Sequence, residues 1–240
     1  MKHWWCGLAA AMLAALPAAA DEIDTLAAAF GARPAAWGMR LSPGGNRILY
    51  YTPAGDRGTA VRVADITGSQ SALILSSDRP TVSPNGCGFK TDDRLICYVD
   101  IITMAGAERF VASKAFSISA DGAARIDLGQ RRSSDDTTLD GRGAELIDWL
   151  PDDPEHVLMQ VPLAERANQA TNLRGNGSGL SVQKVNVLTG RMTLVERPGA
   201  MIVRWDSDDR GAIRYKALQD IGTTGYRDTR ISHHAVSYTH

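Results

Sequence analysis

Apolar and polar residues alternate from Trp37 onwards at the two-residue spacing of a β-strand. Met39 and Leu41 alternate before the turn residues 42–46 (Ser-Pro-Gly-Gly-Asn), and the apolar stretch 47–51 follows. Proline restricts φ at the entry of a turn and glycine tolerates positive φ, so this segment predicts a β-hairpin. Two more strand-like stretches follow the hairpin, at 60–66 and 71–75.

The same order of strand, turn and strand recurs along the rest of the chain. The predicted groups cover about 37–75, 80–128 and 144–196, with a last hairpin at 200–217. Four antiparallel strands in about 40 residues are typical of one blade of a β-propeller. We therefore expect an all-β fold, a partial β-propeller of antiparallel four-stranded blades. A β-sandwich, whose strands also come at regular intervals, is the alternative.

Two segments beside the predicted blades lack the strand spacing. Residues 21–33 predict a short helix with Ile23, Leu26 and Phe30 at helical spacing, which we expect to dock on the first sheet because it is too short to be stable alone. Residues 218–240 predict an irregular tail. Propellers typically close with about four to eight blades. We therefore expect either a piece truncated from a longer protein or a small oligomer that closes by self-association through the open edge.

The N-terminal residues 1–20 predict a secretory signal peptide. Lys2 supplies a positive charge, residues 4–16 are apolar and uncharged, and Ala18-x-Ala20 fits the small-residue rule for cleavage after Ala20. The apolar run is shorter than the roughly 20 residues of a membrane-spanning helix, although an uncleaved anchor is the alternative. The expected location is periplasmic or extracellular, with no stable membrane span after cleavage.

Cleavage at that position would leave Cys87 and Cys97 as the cysteines of the mature chain. An oxidising compartment permits a disulfide between them. Their separation is even and residues 91–93 predict a turn, so on an antiparallel hairpin they would face each other. Closing this loop would contribute about 2–3 kcal/mol. Two small buried thiols are the alternative, and no metal site is expected because no histidine or further cysteine lies nearby.

The composition excludes some partners. The formal net charge is −1 and aromatic residues make up 6% of the chain. We therefore expect neither general attraction to nucleic acid nor an aromatic platform for bases. The sequence also lacks a glycine-rich phosphate-binding motif, and we expect no cofactor.

A serine nucleophile is the first enzyme chemistry that the sequence can be tested for. Ser178 lies in Gly-Asn-Gly-Ser-Gly-Leu, where Asn176 and Leu180 fail the glycine pattern of a nucleophile elbow. We expect a loop between blade strands. No catalytic residue is assigned to this chain, which leaves open whether it belongs to an enzyme.

Histidines and paired aspartates also have structural interpretations. His156 begins a predicted strand, and His233, His234 and His240 lie in the predicted tail, where adjacent histidines make a poor tetrahedral metal site. The paired aspartates fall in predicted turns, where an aspartate side chain bonds nearby backbone. These pairs are 92–93, 135–136, 152–153 and 208–209.

The order of motifs at the start of the repeat resembles the N-terminal propeller of bacterial exported serine peptidases of the prolyl oligopeptidase family. The resemblance is carried by Phe30-Gly31, Trp37-Gly-Met39, Leu41-Ser-Pro-Gly-Gly45 and Val61-x-Val-x-Asp65. Segments 87–97 and 147–159 also look like blade hairpins of that family, and the resemblance covers about 21–226.

The resemblance implies a module that accompanies a catalytic domain. In that family the propeller is followed by an α/β-hydrolase domain with a Gly-x-Ser-x-Gly serine, an aspartate and a histidine. The propeller covers the active site and restricts access to short peptides. No part of the catalytic domain maps onto this sequence.

Two functional hypotheses follow. The first is the substrate-gating propeller part of an exported prolyl oligopeptidase-like serine peptidase, truncated before the catalytic domain and inactive alone. Peptides would then be its partners only when it is joined to that domain. The alternative is a stand-alone periplasmic propeller-like binding or scaffold protein.

Overall fold

A computed structural model describes residues 23, 26–27, 29–129, 143–163, 179–199, 201–221 and 227–233. The chain divides into two units, Met1–Ala35 and Ala36–His240. In the first unit, the described residues between 23 and 30 are helical, and the Gly31 N–H donates to the Ala27 carbonyl (2.9 Å). The rest of the helix expected at 21–33 and the expected signal peptide at 1–20 lie outside the described residues.

The second unit consists of β-strands that form four consecutive sheets, which we call blades. Blade 1 contains β1 (Trp37–Leu41), β2 (Arg47–Ala54), β3 (Gly58–Asp65) and β4 (Ser71–Ser77). Blade 2 contains β5 (Val82–Thr91), β6 (Arg94–Ala105), β7 (Glu108–Ser119) and β8 (Arg125–Asp127). Blade 3 contains β9 (Glu145–Asp148), β10 (His156–Leu163), β11 (Gly179–Asn186) and β12 (Met192–Gly199). Blade 4 contains β13 (Ile202–Ser207), β14 (Ile213–Ile221) and β15 (Arg227–His233).

Each strand pairs antiparallel with its neighbour in the sequence, so every blade is a simple meander. Within the part of the chain that the structure describes, blades 1 to 3 have four strands and blade 4 has three. Three apolar cores lie between successive blades, one for each adjacent pair. A β-sandwich would instead bury one core between two sheets. The prediction of an all-β partial β-propeller is therefore confirmed.

Both faces of a middle blade are buried. We call the face toward the preceding blade the front face and the opposite one the back face. In blade 2, Leu95, Cys97 and Phe116 pack toward blade 1, whereas Ile96 and Ala115 pack toward blade 3. Successive residues of a strand point to opposite faces, so a strand that is covered on both sides is apolar at consecutive positions. This explains the nearly continuous apolar run at the start of β6.

The tail corrects one expectation from the sequence, which predicts irregular structure over 218–240. Strand β14 extends to Ile221 and pairs with β15, from Tyr215 opposite His233 to Ile221 opposite Arg227. The sequence of β15 (Arg-Asp-Thr-Arg-Ile-Ser-His) is polar because the strand is outermost in its blade, and Ile231 is 77% exposed. A strand with so little buried surface shows no apolar alternation. Among the described residues, no helix is long and apolar enough to cross a bilayer.

Candidate functional site

The two cysteines lie where blade 2 meets blade 1. Cys87 on β5 and Cys97 on β6 are directly opposite each other, are joined by a disulfide and are 3% and 0% exposed. Their Cα atoms are 4.1 Å apart, the close spacing of a pair that shares no backbone hydrogen bond. The Cys87 N–H therefore points away from β6 and donates to the Tyr51 hydroxyl of blade 1 (2.8 Å). The disulfide belongs to a contact between blades rather than to a reactive surface.

This hydrogen bond between blades is repeated along the chain, and we call it the stitch. The Leu146 N–H of β9 donates to the Tyr98 hydroxyl of β6 (2.8 Å). The Trp205 N–H of β13 donates to Gln160 Oε1 of β10 (2.9 Å). In each case the first strand of a blade donates to a side chain on the second strand of the preceding blade. Because a first strand has an unpaired backbone edge, the stitch satisfies a donor that blade packing buries.

The stitch has no recognisable pattern in the sequence. Its acceptors are two tyrosines and a glutamine, so they share hydrogen-bonding capacity and strand position but no residue type. Burial raises the pKa of Tyr98 from its ordinary value of 10.0 to about 12, so the hydroxyl is neutral far above physiological pH. Neutral acceptors of this kind cost little to bury when they are hydrogen-bonded.

Trp205 dominates the contact between blades 3 and 4. It is 2% exposed, and its indole Nε1 donates to the Leu180 carbonyl (3.0 Å). The Asp148 carboxylate of blade 3 accepts the Gly211 N–H of blade 4 (2.8 Å). Ser207 Oγ donates to the Ile147 carbonyl (2.9 Å). One large aromatic side chain and a set of polar contacts therefore hold blade 4.

Asp153 and Asp208 accept hydrogen bonds from nearby backbone N–H groups at their turns, as the sequence suggests, whereas the pair 92–93 joins two blades. The Asp92 carboxylate of blade 2 accepts the Gly44 N–H of the β1–β2 turn (2.7 Å). Arg47 forms an ion pair with Asp93 (2.7 Å) and donates to the Asp92 carbonyl (2.9 Å). The hydrogen bond from Gly44 is the main cause that lowers the pKa of Asp92. The aspartates at 135–136 lie outside the described residues.

His156 lies in a polar cluster on blade 3. Its Nδ1 is 3.0 Å from Asp153 Oδ1, and the other Asp153 oxygen is 2.8 Å from Lys184 Nζ. The hydrogen bond from Lys184, followed by that from His156, holds the pKa of Asp153 well below its usual range. The same carboxylate accepts the N–H groups of Glu155 and His156 at the start of β10. The cluster thus fixes a turn, which agrees with a structural role for His156.

An exposed aromatic and a guanidinium lie near the first strands of blades 1 to 3. The Trp149 ring, 37% exposed, lies against Gly88, where an added Cβ would be 2.9 Å from the ring. The Arg40 guanidinium lies on the same spot, 3.7 Å from that Cβ position. Lys90 is 8% exposed, and its Nζ donates to the carbonyls of Trp149 and Leu150, which holds the backbone that carries the Trp149 ring. A partly exposed aromatic ring and a guanidinium for which no ion pair is described therefore lie beside each other at this place.

A cavity of about 680 Å³ lies between β8 and the β11–β12 turn. Arg125 on its wall forms an ion pair with Asp127 (3.4 Å) and lies over the Phe116 ring, 3.9 Å from the centroid. The charged groups of this cavity are thus already engaged with each other. Among the lining residues that the structure describes, no further charged side chain points to a binding role for this cavity.

Several sequence candidates lie beyond the described residues, namely Ser178, His234 and His240. His233 is described only as a backbone position at the end of β15. In the described part of the chain, no three His, Cys, Asp or Glu side chains are grouped as a metal site would require. The expectations of no metal and no cofactor stay predictions.

No protein-family model matches the chain, and no curated protein matches it. Solved structures to which it is similar include the acylaminoacyl peptidase of Pyrococcus horikoshii, at 12% identity and a TM-score of 0.45 over 83% of this chain and 31% of that one. TolB from Acinetobacter baumannii has 12% identity and a TM-score of 0.39, over 82% of this chain and 41% of its own. The β-propeller domain of the Trilobed protease from Pyrococcus furiosus has 10% identity and a TM-score of 0.26, over 83% of each chain.

The chain spans 31% and 41% of the first two of these proteins. Its class is the one that its own sheets and their packing define, a partial β-propeller.

Proposed function

We propose that this chain is the substrate-gating propeller part of an exported serine peptidase of the prolyl oligopeptidase type. The observation that carries the proposal is the ordered set of motifs in blade 1 that resembles that family. Trp37-Gly-Met39 lies on β1, Leu41-Ser-Pro-Gly-Gly45 enters the β1–β2 turn, and Val61-x-Val-x-Asp65 ends β3.

These motif residues have structural rather than catalytic roles in blade 1. Trp37 stacks on Tyr51, whose hydroxyl forms the stitch to blade 2, with ring centroids 6.1 Å apart. Asp65 ends β3 and accepts hydrogen bonds from the hydroxyls of Thr67 and Ser69, which lower its pKa to about 2. A module whose shared motifs maintain blade geometry is suited to enclosing an active site that another domain supplies.

The proposal expects no peptidase activity in the purified 240-residue chain. A fluorophosphonate probe labels an activated serine, because it forms a covalent bond with the nucleophile of a serine peptidase. We expect no labelling of the native chain beyond that of a heat-denatured sample, with trypsin as a positive control. Labelling of the native chain alone would contradict the assignment of the catalytic residues to another domain.

The downstream coding DNA tests whether a catalytic domain belongs to the same gene. We expect a reading frame that encodes Gly-x-Ser-x-Gly, followed by the aspartate and histidine of the triad. In the joined protein, Trp205→Ala should loosen blade 4 and allow longer peptides to be cleaved, while cleavage of a dipeptide substrate stays unchanged. Equal loss of both activities would contradict gating.

Export is part of the same proposal. It is supported by the Ala18-x-Ala20 pattern and is compatible with the Cys87–Cys97 disulfide, since such bonds persist in oxidising compartments. Mass spectrometry of the protein recovered from the periplasm should give a mature N-terminus at Asp21. A free-thiol count of zero on the unreduced mature protein would agree with the disulfide.

A stand-alone binding protein is the second candidate, favoured by the exposed Trp149 ring beside the Arg40 guanidinium. In that case, a short peptide with a free C-terminal carboxylate should change the tryptophan fluorescence of the chain. The effect should disappear in Arg40→Gln and with the amidated peptide. No response to either peptide would remove this candidate.

A further inference from the structure

The β9–β10 turn of blade 3 and the β13–β14 turn of blade 4 have the same unusual backbone feature at equivalent positions. Leu150 (φ 48°) and Asp209 (φ 60°) each lie two residues after the first strand of their blade, and they are the non-glycine residues with positive φ in the described part of the chain. Aspartate adopts this conformation more readily than a bulky residue such as leucine. The turn of blade 3 therefore contains a residue that its backbone conformation disfavours.

A local side chain stabilises the turn of blade 4. The Asp208 carboxylate accepts the N–H groups of Arg210 and Ala212 (3.0 Å each), as aspartates commonly do in turns. The position that corresponds to Asp208 in blade 3 is Trp149, whose indole cannot accept a hydrogen bond. Blade 3 thus has a partly exposed aromatic ring where blade 4 has the side chain that forms the turn.

Buried charged groups hold the turn of blade 3 instead. The Asp148 carboxylate, on a residue that is 2% exposed, accepts the Leu150 N–H and the Gly211 N–H (2.8 Å each). The Lys90 ammonium of blade 2 donates to the carbonyls of Trp149 and Leu150. A disfavoured conformation persists only where the surrounding structure fixes it, and such places are common at binding sites. These contacts are all to the backbone, so they position Trp149 without covering its ring.

The Trp149 ring and the Arg40 guanidinium meet at Gly88 of β5. A Cβ added to Gly88 would be 2.9 Å from Trp149 Cη2 and 3.7 Å from Arg40 Nη1. Both groups therefore lie close to one point, and a single residue of a ligand can contact both. Because the backbone contacts fix the turn beforehand, binding would not have to order it.

The charge at this place favours an anion. Arg40 is exposed and has no ion pair within the described part of the chain. The carboxylates of the adjoining β5–β6 turn are already bound, since Asp92 accepts the Gly44 N–H (2.7 Å). Asp93 forms its ion pair with Arg47 (2.7 Å). A guanidinium can donate two parallel hydrogen bonds to a carboxylate, which makes a carboxylate a fitting partner for Arg40.

We propose that Trp149 and Arg40 bind the C-terminal residue of a peptide that ends in an aromatic side chain. The carboxylate forms hydrogen bonds with Arg40, and the aromatic ring stacks on Trp149. In such a residue only the α and β carbons separate the carboxylate from the ring, which suits two binding groups that lie side by side. The proposal rests on the stand-alone binding candidate and deepens it by naming the class of ligand.

Titration calorimetry with three tripeptides tests the proposal. The probes are Ala-Ala-Phe with a free C-terminus, the same peptide as its C-terminal amide, and Ala-Ala-Ala with a free C-terminus. The aromatic pair should make Ala-Ala-Phe bind about five-fold more tightly than Ala-Ala-Ala. The charge-assisted hydrogen bonds should make it bind at least about ten-fold more tightly than the amide.

The three affinities distinguish failure of the proposal from failure of the binding function. Equal binding of Ala-Ala-Phe and Ala-Ala-Ala, both tighter than the amide, would overturn the proposed aromatic ligand and would still support a site for C-terminal carboxylates. Equal binding of the acid and the amide, or binding of none of the three, would overturn both. Fluorophosphonate labelling would contradict the peptidase proposal and leave this one untouched.

Arg40→Gln tests the carboxylate contact. We expect it to weaken Ala-Ala-Phe about ten-fold. The matched control is Arg109→Gln, which removes the same charge from another exposed arginine. Arg109 pairs with Met104, near the opposite end of β6 from the residue that pairs with Gly88, so this change should leave the affinity unchanged. Equal losses in the two variants would indicate a general effect of net charge and would overturn the proposal.

Two variants test the stacking on Trp149. Trp149→Ala should remove the preference for phenylalanine over alanine at the C-terminus of the peptide. It retains the carbonyl that Lys90 binds, so the turn should keep its shape. Gly88→Ala should also reduce the preference, because its Cβ would displace the ring, while its backbone does not require glycine. Thermal unfolding checks that both variants are folded, and an unchanged preference in the folded variants would overturn the proposal.

Discussion

The contact between blades 1 and 2 and the contact between blades 3 and 4 occupy equivalent places in the repeat, but different kinds of side chain form them. Among the described residues, eleven buried apolar side chains form the first core and five form the last. The first contact is also crossed by the turn bonds of Asp92 and Arg47. The last depends on Trp205, Gln160 and backbone acceptors.

The comparison shows that the contacts between blades share the same strand geometry, while the residues that form them differ. Both contacts have a stitch at the same strand position, with Tyr51 in one and Gln160 in the other. Where buried apolar area is small, one large aromatic with a hydrogen-bonded indole replaces several aliphatic side chains. We expect the last contact to be sensitive to a single substitution and the first to tolerate more.

Trp205→Ala should have the largest effect, because it removes the main side chain of the small core. We expect the free energy of unfolding to fall by about 3–5 kcal/mol. The rate of amide hydrogen exchange should increase in β13 and β14 more than in blade 1. Denaturant unfolding and exchange mass spectrometry measure both. The control is Leu194→Ala, since Leu194 is 49% exposed. Uniform exchange over all blades would contradict the separation of the two contacts.

Removal of the disulfide should have the next largest effect and should act on the first contact. Cys87→Ala with Cys97→Ala, or reduction of the wild type, should lower the free energy of unfolding by about 2–3 kcal/mol. Urea unfolding with and without dithiothreitol measures this. The double variant is its own control, because dithiothreitol should leave it unchanged. If dithiothreitol leaves the free energy of unfolding of the wild type unchanged, the disulfide contributes nothing to stability.

Tyr51→Phe should lower the free energy of unfolding by about 1–2 kcal/mol, because the buried Cys87 N–H loses its acceptor. The neighbouring tyrosine provides a matched control. The Tyr50 hydroxyl is 3.1 Å from Ser71 Oγ at an exposed position, so Tyr50→Phe should change stability by less than about 0.5 kcal/mol. Thermal unfolding of both variants measures the difference. Equal effects would mean that the stitch is not a stabilising contact.

Acid should weaken the first contact in a way that Asp92 controls. Its pKa is lowered in the folded protein, so its contribution is present above the unfolded pKa of about 4 and is lost as pH falls through the lowered value. Asp92→Asn keeps an acceptor for Gly44 but does not titrate. Between pH 5 and pH 2 we expect the denaturation midpoint to fall less in Asp92→Asn than in the wild type. An equal fall in the two proteins would contradict this prediction.

The hairpins of the fold could be predicted because their information is local. Trp37 to Tyr51 combines strand alternation with a proline–glycine turn, and such a segment needs no distant partner to be recognised. Strand β15 has no such local pattern, since its Ile231 is exposed and its other described side chains are polar. A strand is predicted by what it buries, and an outer strand buries little.

The contacts between blades could not be predicted from the sequence. Whether Tyr98 meets the Leu146 N–H depends on how two sheets are placed, and no spacing along the chain encodes that distance. The exposed Trp149 ring likewise depends on Gly88 of another blade having no side chain. The signal that could have indicated the stitch is a polar side chain within the apolar second strand of each blade, as with Gln160 in β10.

Lys90 gives the protein an internal chemical reporter. Lys90 is 8% exposed and its Nζ donates to the carbonyls of Trp149 and Leu150, so the folded protein shields this nitrogen from reagents in solution. An amine-acetylating reagent should therefore spare Lys90 while it modifies the more exposed Lys184, until blade 3 separates from blade 2. The acetylation rate of this one residue then measures how often that boundary opens in the native protein.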